Sequence, residues 1–415
     1  MNNIINIAVV GLGQVGNYLL NELNNKKKDI ELKTGKKIVI VAISAKNINK
    51  KRKFKINKKI FYKNPLEIFK NKKIDVLFEV IGLSDGISKK LVETALKNKI
   101  HVITPNKALI AKHGDYLSKL AEDNRVNLEF EASVAGGIPI LRSIKEGLAT
   151  NKISKIYGIL NGTSNYILSE MENSHEIFLN VLKKAQNLGY AEPGNPKLDL
   201  NGADAFAKIR ILSSLAFNTK ISKHKCLIEG IEKIELKDIE MANQLGLRIK
   251  LLGISELINN ELFETVHPCM VSKKSYIGNV NGVMNAVILQ GKPVGESLLQ
   301  GEGAGPGPTS SSLLSDLLSI LRGNIKFPFG ISDKNRKSIK SYNSDKYSNS
   351  LYLRFEVKEI PGVLSQITNR LAKYKISVKR IIQTPDKKKN KATIVIITHK
   401  TNELNSKRCL SIFLH

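Results

Sequence analysis

A glycine turn between an apolar run and a helical pattern, close to the N-terminus, constrains this chain more than any other feature. Ile4–Val10 reads as a buried strand, and Gly11-Leu12-Gly13-Gln14-Val15-Gly16 follows it at once. A helical pattern then runs from Gln14 to about Asn24, and Ile38–Ile43 is a second buried run. This strand–turn–helix–strand order is the context in which a GxGxxG motif binds a dinucleotide. Gly11 permits the tight turn, Gly13 lets a pyrophosphate reach the backbone, and Gly16 lets helix and sheet pack closely. The helix N-terminus offers unpaired N–H groups and the positive end of its dipole to the phosphates.

The end of the second strand bears on which dinucleotide. An acid there would bind the ribose 2′-hydroxyl of NAD. The chain instead has Ser44-Ala45-Lys46-Asn47, then Lys50-Lys51-Arg52-Lys53. That favours NADP, with NAD as the alternative. Further buried runs at Ile74–Val80, Ile100–Ile103 and about Val126–Glu131 alternate with helical patterns near Ser88–Lys97 and Lys107–Asn124. Such alternation predicts a doubly wound parallel sheet, an α/β fold of Rossmann type, over residues 1–131.

After Ala149 the pattern changes to strands such as Lys155–Leu160 among longer helices, Ala203–Phe217 being the clearest. Residues 132–302 therefore read as an α+β substrate and dimerisation domain. The glycine-proline loop Gly301–Pro308 and the helix Thr309–Leu321 return to complete the first domain, over about 303–330. The polar stretch Ser332–Ser350 reads as an exposed linker, 331–349. Beyond it, 350–415 supplies most of a ferredoxin-like βαββαβ plan and stops before a convincing fourth strand.

Composition narrows the partners. The formal net charge is +29, which taken alone suggests a polyanion. Yet 55 of the 66 basic residues are lysine and 11 arginine, and tryptophan is absent. Nucleic-acid sites favour arginine forks and stacking aromatics, so no nucleic-acid partner is expected. No apolar run reaches the length needed to span a bilayer, so no membrane partner is expected either. Cys226, Cys269 and Cys409 lie far apart and are odd in number, which fits a reducing, cytoplasmic compartment better than a disulfide scaffold.

Three clusters can carry chemistry. Thr104-Pro105-Asn106-Lys107 lies at a strand's carboxyl end, where ligands bind in open parallel sheets, although a lysine opening a surface helix is common in this chain. The turn Glu131–Pro139 offers one carboxylate and unpaired carbonyls to a hard cation, or is a plain hinge. The third cluster runs from Gly189 to Lys208. Asp204 and Lys208 are four apart on an otherwise apolar helix, so both project from one face. Burial beside a carboxylate would keep a protonated lysine able to pass a proton to a carbonyl oxygen. Glu192 and Asp199 could hold a substrate ammonium.

On these motifs the chain resembles the homoserine dehydrogenases. The resemblance is carried by Thr104–Lys107, Glu131–Ile140, Gly158-Ile159-Leu160-Asn161-Gly162-Thr163-Ser164-Asn165-Tyr166, Gly189–Lys208 and Gly303–Thr309, in the family's order. It implies reduction of aspartate 4-semialdehyde to homoserine with NAD(P)H, on the route to threonine and methionine. It makes Lys208 the proton donor, Lys107 a second lysine near the nicotinamide, and Asp204 the residue that orients them. It assigns the substrate ammonium to Glu192 and Asp199, and dinucleotide contacts to Gly11 through Gly16, Lys46, Thr104, Lys107 and Gly303. It places a monovalent cation, sodium, on Glu131 and the carbonyls of Val134, Gly136 and Ile138. A homodimer or homotetramer is implied, and the C-terminal module resembles an ACT domain, for which threonine is the family's effector. Two departures stand out. Asn195 replaces a common aspartate in a segment one residue longer than in several relatives, and Glu359 replaces the usual aspartate of the ACT signature.

Other readings remain distinct in outcome: a related amino-acid dehydrogenase on the same fold, or an ACT sensor whose front end only holds NADP.

Overall fold

A computed structural model describes residues 3–47, 57–71, 73–194, 196–386 and 390–413. The first sheet contains β1 (Ile4–Val10), β2 (Lys37–Ser44), β3 (Phe61–Tyr62), β4 (Val76–Glu79), β5 (His101–Ile103) and β6 (Leu128–Glu129). Its order is β3-β2-β1-β4-β5-β6 with every pairing parallel, the doubly wound order of dinucleotide-binding folds. The order reverses between β1 and β4, so the crevice at their carboxyl ends is where such sheets bind ligands. Strand β6 is shorter than the sequence suggests. Glu131 begins a 3-10 turn, Glu131–Ser133, and does not extend the strand.

Helix Pro306–Leu321 returns to this sheet. Its Leu313, Leu317 and Leu321 pack with Ile7, Val9, Leu19 and Leu23 in one apolar cluster. The start of this helix, at Gly307, thereby lies against Tyr18 on the helix that follows the glycine turn.

The second sheet is built from β7 (Lys152–Ile159), β8 (Leu227–Ile228), β9 (Leu247–Ile258), β10 (Glu261–Ser272), β11 (Met284–Lys292) and β12 (Gly295–Glu302). Its order is β12-β11-β7-β9-β10-β8, antiparallel apart from the β10–β8 pair. Helix Ala203–Ala216 lies against β9 and β7, burying Ile209, Leu212 and Leu215. Gly253 on β9 makes that approach close, since a Cβ there would stand 3.3 Å from Ile209 Cβ.

The stretch 331–349 is more than an exposed connection. Arg336 is buried, donates to Asp115 Oδ1 and Ser214 Oγ at 2.7 Å each, and lies over the Phe329 ring. Tyr347 stacks on Phe263, and Leu262 exchanges backbone hydrogen bonds with Lys340 and Tyr342. Polar composition hid this, because a buried arginine with carboxylate and hydroxyl partners reads like a solvated one.

The C-terminal module has β14 (Tyr352–Lys358), β15 (Val378–Asp386) and β16 (Lys391–Thr398) in the antiparallel order β14-β16-β15. Helix Val363–Lys373 packs Ile367 and Leu371 against them. Two short strands, β13 (Ser348–Asn349) and β17 (Thr401–Asn402), pair separately, and helix Glu403–Phe413 follows. Three strands form this sheet among the described residues. No helix among the described residues is long and apolar enough to cross a membrane.

Candidate active site

The glycine turn takes the shape its motif requires. Gly11 adopts φ +102°, and a Cβ on it would meet the Val80 carbonyl oxygen at 2.4 Å. A Cβ on Gly16 would stand 1.9 Å from Gly11 O, so helix Gln14–Asn25 can start here only on a glycine. Around Gly13 there is open space, with nothing within 4 Å of a Cβ. That space lies at the N-terminus of a helix whose first turn carries no acid and no side-chain cap. The residues thus fit a pyrophosphate. Lys46 is exposed just beyond β2. Lys50–Lys53, the other cations considered for a 2′-phosphate, lie outside the described residues.

Thr104 turns its hydroxyl into the fold. Its hydroxyl donates to Glu79 Oε2 at 2.6 Å and accepts the Asn106 N–H, and the residue is fully buried. Glu79, at the end of β4, also accepts from Ile81 N, Gly82 N, Ser88 Oγ and Asn106 Nδ2. This one buried carboxylate fixes the loops after β4 and β5 together. Asn106 in turn caps helix Lys107–Asp123 by accepting from Leu109 N, which sets where Lys107 begins.

Lys107 and Lys208 meet at one carboxylate. Lys107 Nζ lies 2.8 Å from Asp204 Oδ1, and Lys208 Nζ lies 2.8 Å from Asp204 Oδ2. A second acceptor holds Lys208, the Leu160 carbonyl at 2.7 Å, at the end of β7. The two ammoniums differ in setting. Lys208 is 7% exposed, whereas the Lys107 side chain is 43% exposed. Burial pushes the Lys208 pKa below its ordinary value, and neighbouring Lys107 adds to this against the pull of Asp204. Burial also acts to lower that of Lys107, but Asp204, Asp199 and Glu192 outweigh it and raise the net value. Burial works to raise the Asp204 pKa, yet the two lysines hold its carboxyl well below the usual carboxylate range.

Asp199 lies on the short helix Lys197–Leu200 and accepts from Asn161 Nδ2 at 2.8 Å. Burial raises its pKa, with Asn161 opposing the rise. Glu192 is exposed at the same edge, near enough to act on Lys107. The site thus gathers Lys107, Glu192, Asp199, Asp204 and Lys208 from three stretches of chain. Asn161 joins them without having been singled out from sequence. Its amide also donates to Asp204 Oδ2 at 2.9 Å.

The cation turn is partly engaged. Glu131 accepts from Leu141 N and Arg142 N at 2.8 Å each, the Gly136 carbonyl accepts from Ser312 Oγ, and that of Ile138 accepts from Ile140 N. Each oxygen keeps a further lone pair. Ala135 and Gly136 both adopt positive φ, and the Ser133 hydroxyl is buried without a partner. One carboxylate among carbonyls and an orphaned hydroxyl fits a cation of low charge. Among the described residues no group of three or more His, Cys, Asp or Glu side chains could hold a metal. Gly303 packs against this turn and against buried Asn285, whose amide a Cβ on Gly303 would meet at 2.1 Å.

The chain is similar to known proteins along most of its length. Residues 11–131 match the homoserine dehydrogenase NAD-binding domain, 139–318 the homoserine dehydrogenase family and 351–408 the ACT domain. The homoserine dehydrogenase of Neisseria gonorrhoeae is 39% identical over 98% of this chain and 94% of its own. That of Pseudomonas aeruginosa is 36% identical over 96% and 93%. The crystal structure of a homoserine dehydrogenase from Thiobacillus denitrificans superposes with a TM-score of 0.90 at 35% identity, covering 98% of this chain and 94% of that one.

Proposed function

The chain belongs to the homoserine dehydrogenase family of NAD(P)-dependent oxidoreductases, and we propose that Lys208 is its proton donor, with Lys107 as the second cation and Asp204 as the hinge between them. The observation that carries this is the single buried carboxylate shared by two ammoniums.

An ammonium has three donors. Lys208 commits two of them, to Leu160 O and Asp204 Oδ2, which leaves the third for an aldehyde oxygen. A dinucleotide held by its pyrophosphate at the glycine turn would supply the hydride for the aldehyde carbon. As negative charge builds on oxygen, Lys208 delivers its proton there. Its depressed pKa makes it the better acid of the two lysines. Lys107, held protonated, stabilises the developing charge. In the reverse direction neutral Lys208 takes the proton back from homoserine. Glu192 and Asp199 receive the substrate ammonium at the open edge.

NADP is the preferred cofactor on this reading, because no acid follows β2 and Lys46 does; NAD is the alternative. Sodium would sit on Glu131 with the carbonyls of Val134, Gly136 and Ile138, ordering the turn beneath the Gly303 loop. The ACT module would take an amino-acid effector such as threonine, and the enzyme would work in the cytoplasm as a homodimer or homotetramer.

Aspartate 4-semialdehyde reduction, measured with NADPH and with NADH, each with and without threonine, tests this reading. A higher kcat/KM with NADPH is expected. Equal values would overturn the cofactor preference, and no turnover with either would overturn the assignment of the site.

A further inference from the structure

We propose that Asn161 is a positioning residue that ties the substrate-facing carboxylate to the proton-transfer pair. The inference rests on the reading of Lys208 and Asp204 given above.

Asn161 ends the segment after β7 and is 5% exposed. Its Oδ1 accepts from Ser164 N at 2.8 Å, capping helix Gly162–Ser174. Its amide nitrogen donates to Asp199 Oδ1 at 2.8 Å and to Asp204 Oδ2 at 2.9 Å. An asparagine has two amide hydrogens and two acceptor lone pairs, so both hydrogens are spent on carboxylates. Two carboxylates side by side, Asp204 buried and Asp199 partly buried, repel and favour protonation of one of them. A shared amide donor offsets that repulsion and fixes the angle between them.

The preceding residue completes the device. Leu160 O accepts from Lys208, while Asn161 Nδ2 holds the same Asp204 oxygen that Lys208 contacts. One dipeptide therefore fixes both halves of the acid, the ammonium through its carbonyl and the carboxylate through its amide. The helix cap anchors this dipeptide to helix Gly162–Ser174. Ser164 Oγ adds a bond to the Asp199 carbonyl at 2.6 Å, which ties the substrate-facing loop to the same helix start. Placement of the ammonium site thus sets the direction of Asp204, and through it that of Lys208.

The cap and the bridge can be separated. Serine caps helices well but has no amide. Asn161→Ser is expected to melt within a few degrees of the wild type while losing roughly tenfold to a hundredfold in kcat, the scale of small misplacements of reacting groups. The acidic limb of kcat/KM should also move to higher pH, since Asp199 loses a donor that lowers its pKa. A cap role alone would move stability and leave that limb in place. Asn161→Asp, isosteric and able to cap but unable to donate, carries the same expectation should the serine variant not fold. Wild-type kcat with an unmoved limb in a folded variant would overturn the proposal. Lys208→Ala in the same assay separates the two readings. If it stays fully active, the proton-donor assignment fails. If it is inactive beside an unaffected Asn161→Ser, only the bridge fails.

Discussion

Two lysines of the second domain are buried, Lys208 on helix Ala203–Ala216 and Lys250 on β9, and they have opposite surroundings. Lys208 lies beside the start of helix Gly162–Ser174 with Asp204, Leu160 O and a second ammonium, at the edge of the crevice. Lys250 on β9 is 1% exposed and meets only neutral oxygens, Val280 O at 2.6 Å and Asn165 Oδ1 and Asn281 Oδ1 at 3.1 Å. Burial brings the Lys250 pKa down to about 8, helped by Arg248. Burial depresses Lys208 as well, so a shifted lysine is no mark of catalysis by itself. What separates them is access and a spare donor. Lys208 keeps one hydrogen for a ligand, whereas Lys250 spends all three, two on the loop before β11 and one on Asn165 of helix Gly162–Ser174. On the proposed reading Lys208 moves a proton, while Lys250 holds a loop to a helix.

The sharpest way to break this contrast is to remove each ammonium. Lys208→Ala is expected to cost about 10²–10⁴ in kcat, the range for a general acid, in a variant that still folds. Lys107→Ala should cost less, roughly tenfold to a hundredfold, because a half-exposed cation acts through a higher effective dielectric. Lys250→Met should reverse the pattern. It leaves two buried oxygens, those of Val280 and Asn165, and the Asn281 oxygen short of a donor and is expected to destabilise by about 2–5 kcal/mol in chemical denaturation, with kcat within a few-fold of wild type. Loss of turnover without loss of stability in that variant would erase the distinction.

The pH dependence divides the same way. Aldehyde reduction needs protonated Lys208, so kcat should fall as pH rises through a value below that of an ordinary lysine, while homoserine oxidation rises over the same window. At Lys250 the effect is on folding. Its folded pKa lies below the unfolded one, so between about pH 8 and the unfolded lysine value the unfolded chain binds more protons. Stability contributed there therefore grows with pH over that window, by roughly 3 kcal/mol across it, and is smallest below pH 8. Lys250→Met should flatten that part of the wild-type slope, which equilibrium unfolding at several pH values would read.

How much of this was legible depended on how far apart the partners lie. The glycine turn and the Asp204–Lys208 pair are local patterns, visible as spacing along one strand–turn–helix or one helix face. Lys107 came from another domain's motif, and only tertiary packing brings it to Asp204 Oδ1. Asn161 and Glu79 escaped because their work is to join side chains distant in sequence, and neither spacing nor composition marks such a joint. Arg336 misled for the complementary reason. Its polar neighbours suggested solvent, while its actual partners, Asp115 and Ser214, are more than a hundred residues away. Lys250 carried no signal at all, being one lysine in a chain of 55.

The central claim is that Lys208 delivers the proton, and single-turnover reduction of aspartate 4-semialdehyde by NADPH tests it most directly. In Lys208→Ala the hydride step should slow by about 10²–10⁴, with NADPH affinity unchanged and partial recovery on adding a small primary amine. A hydride step at the wild-type rate in that variant would contradict the account.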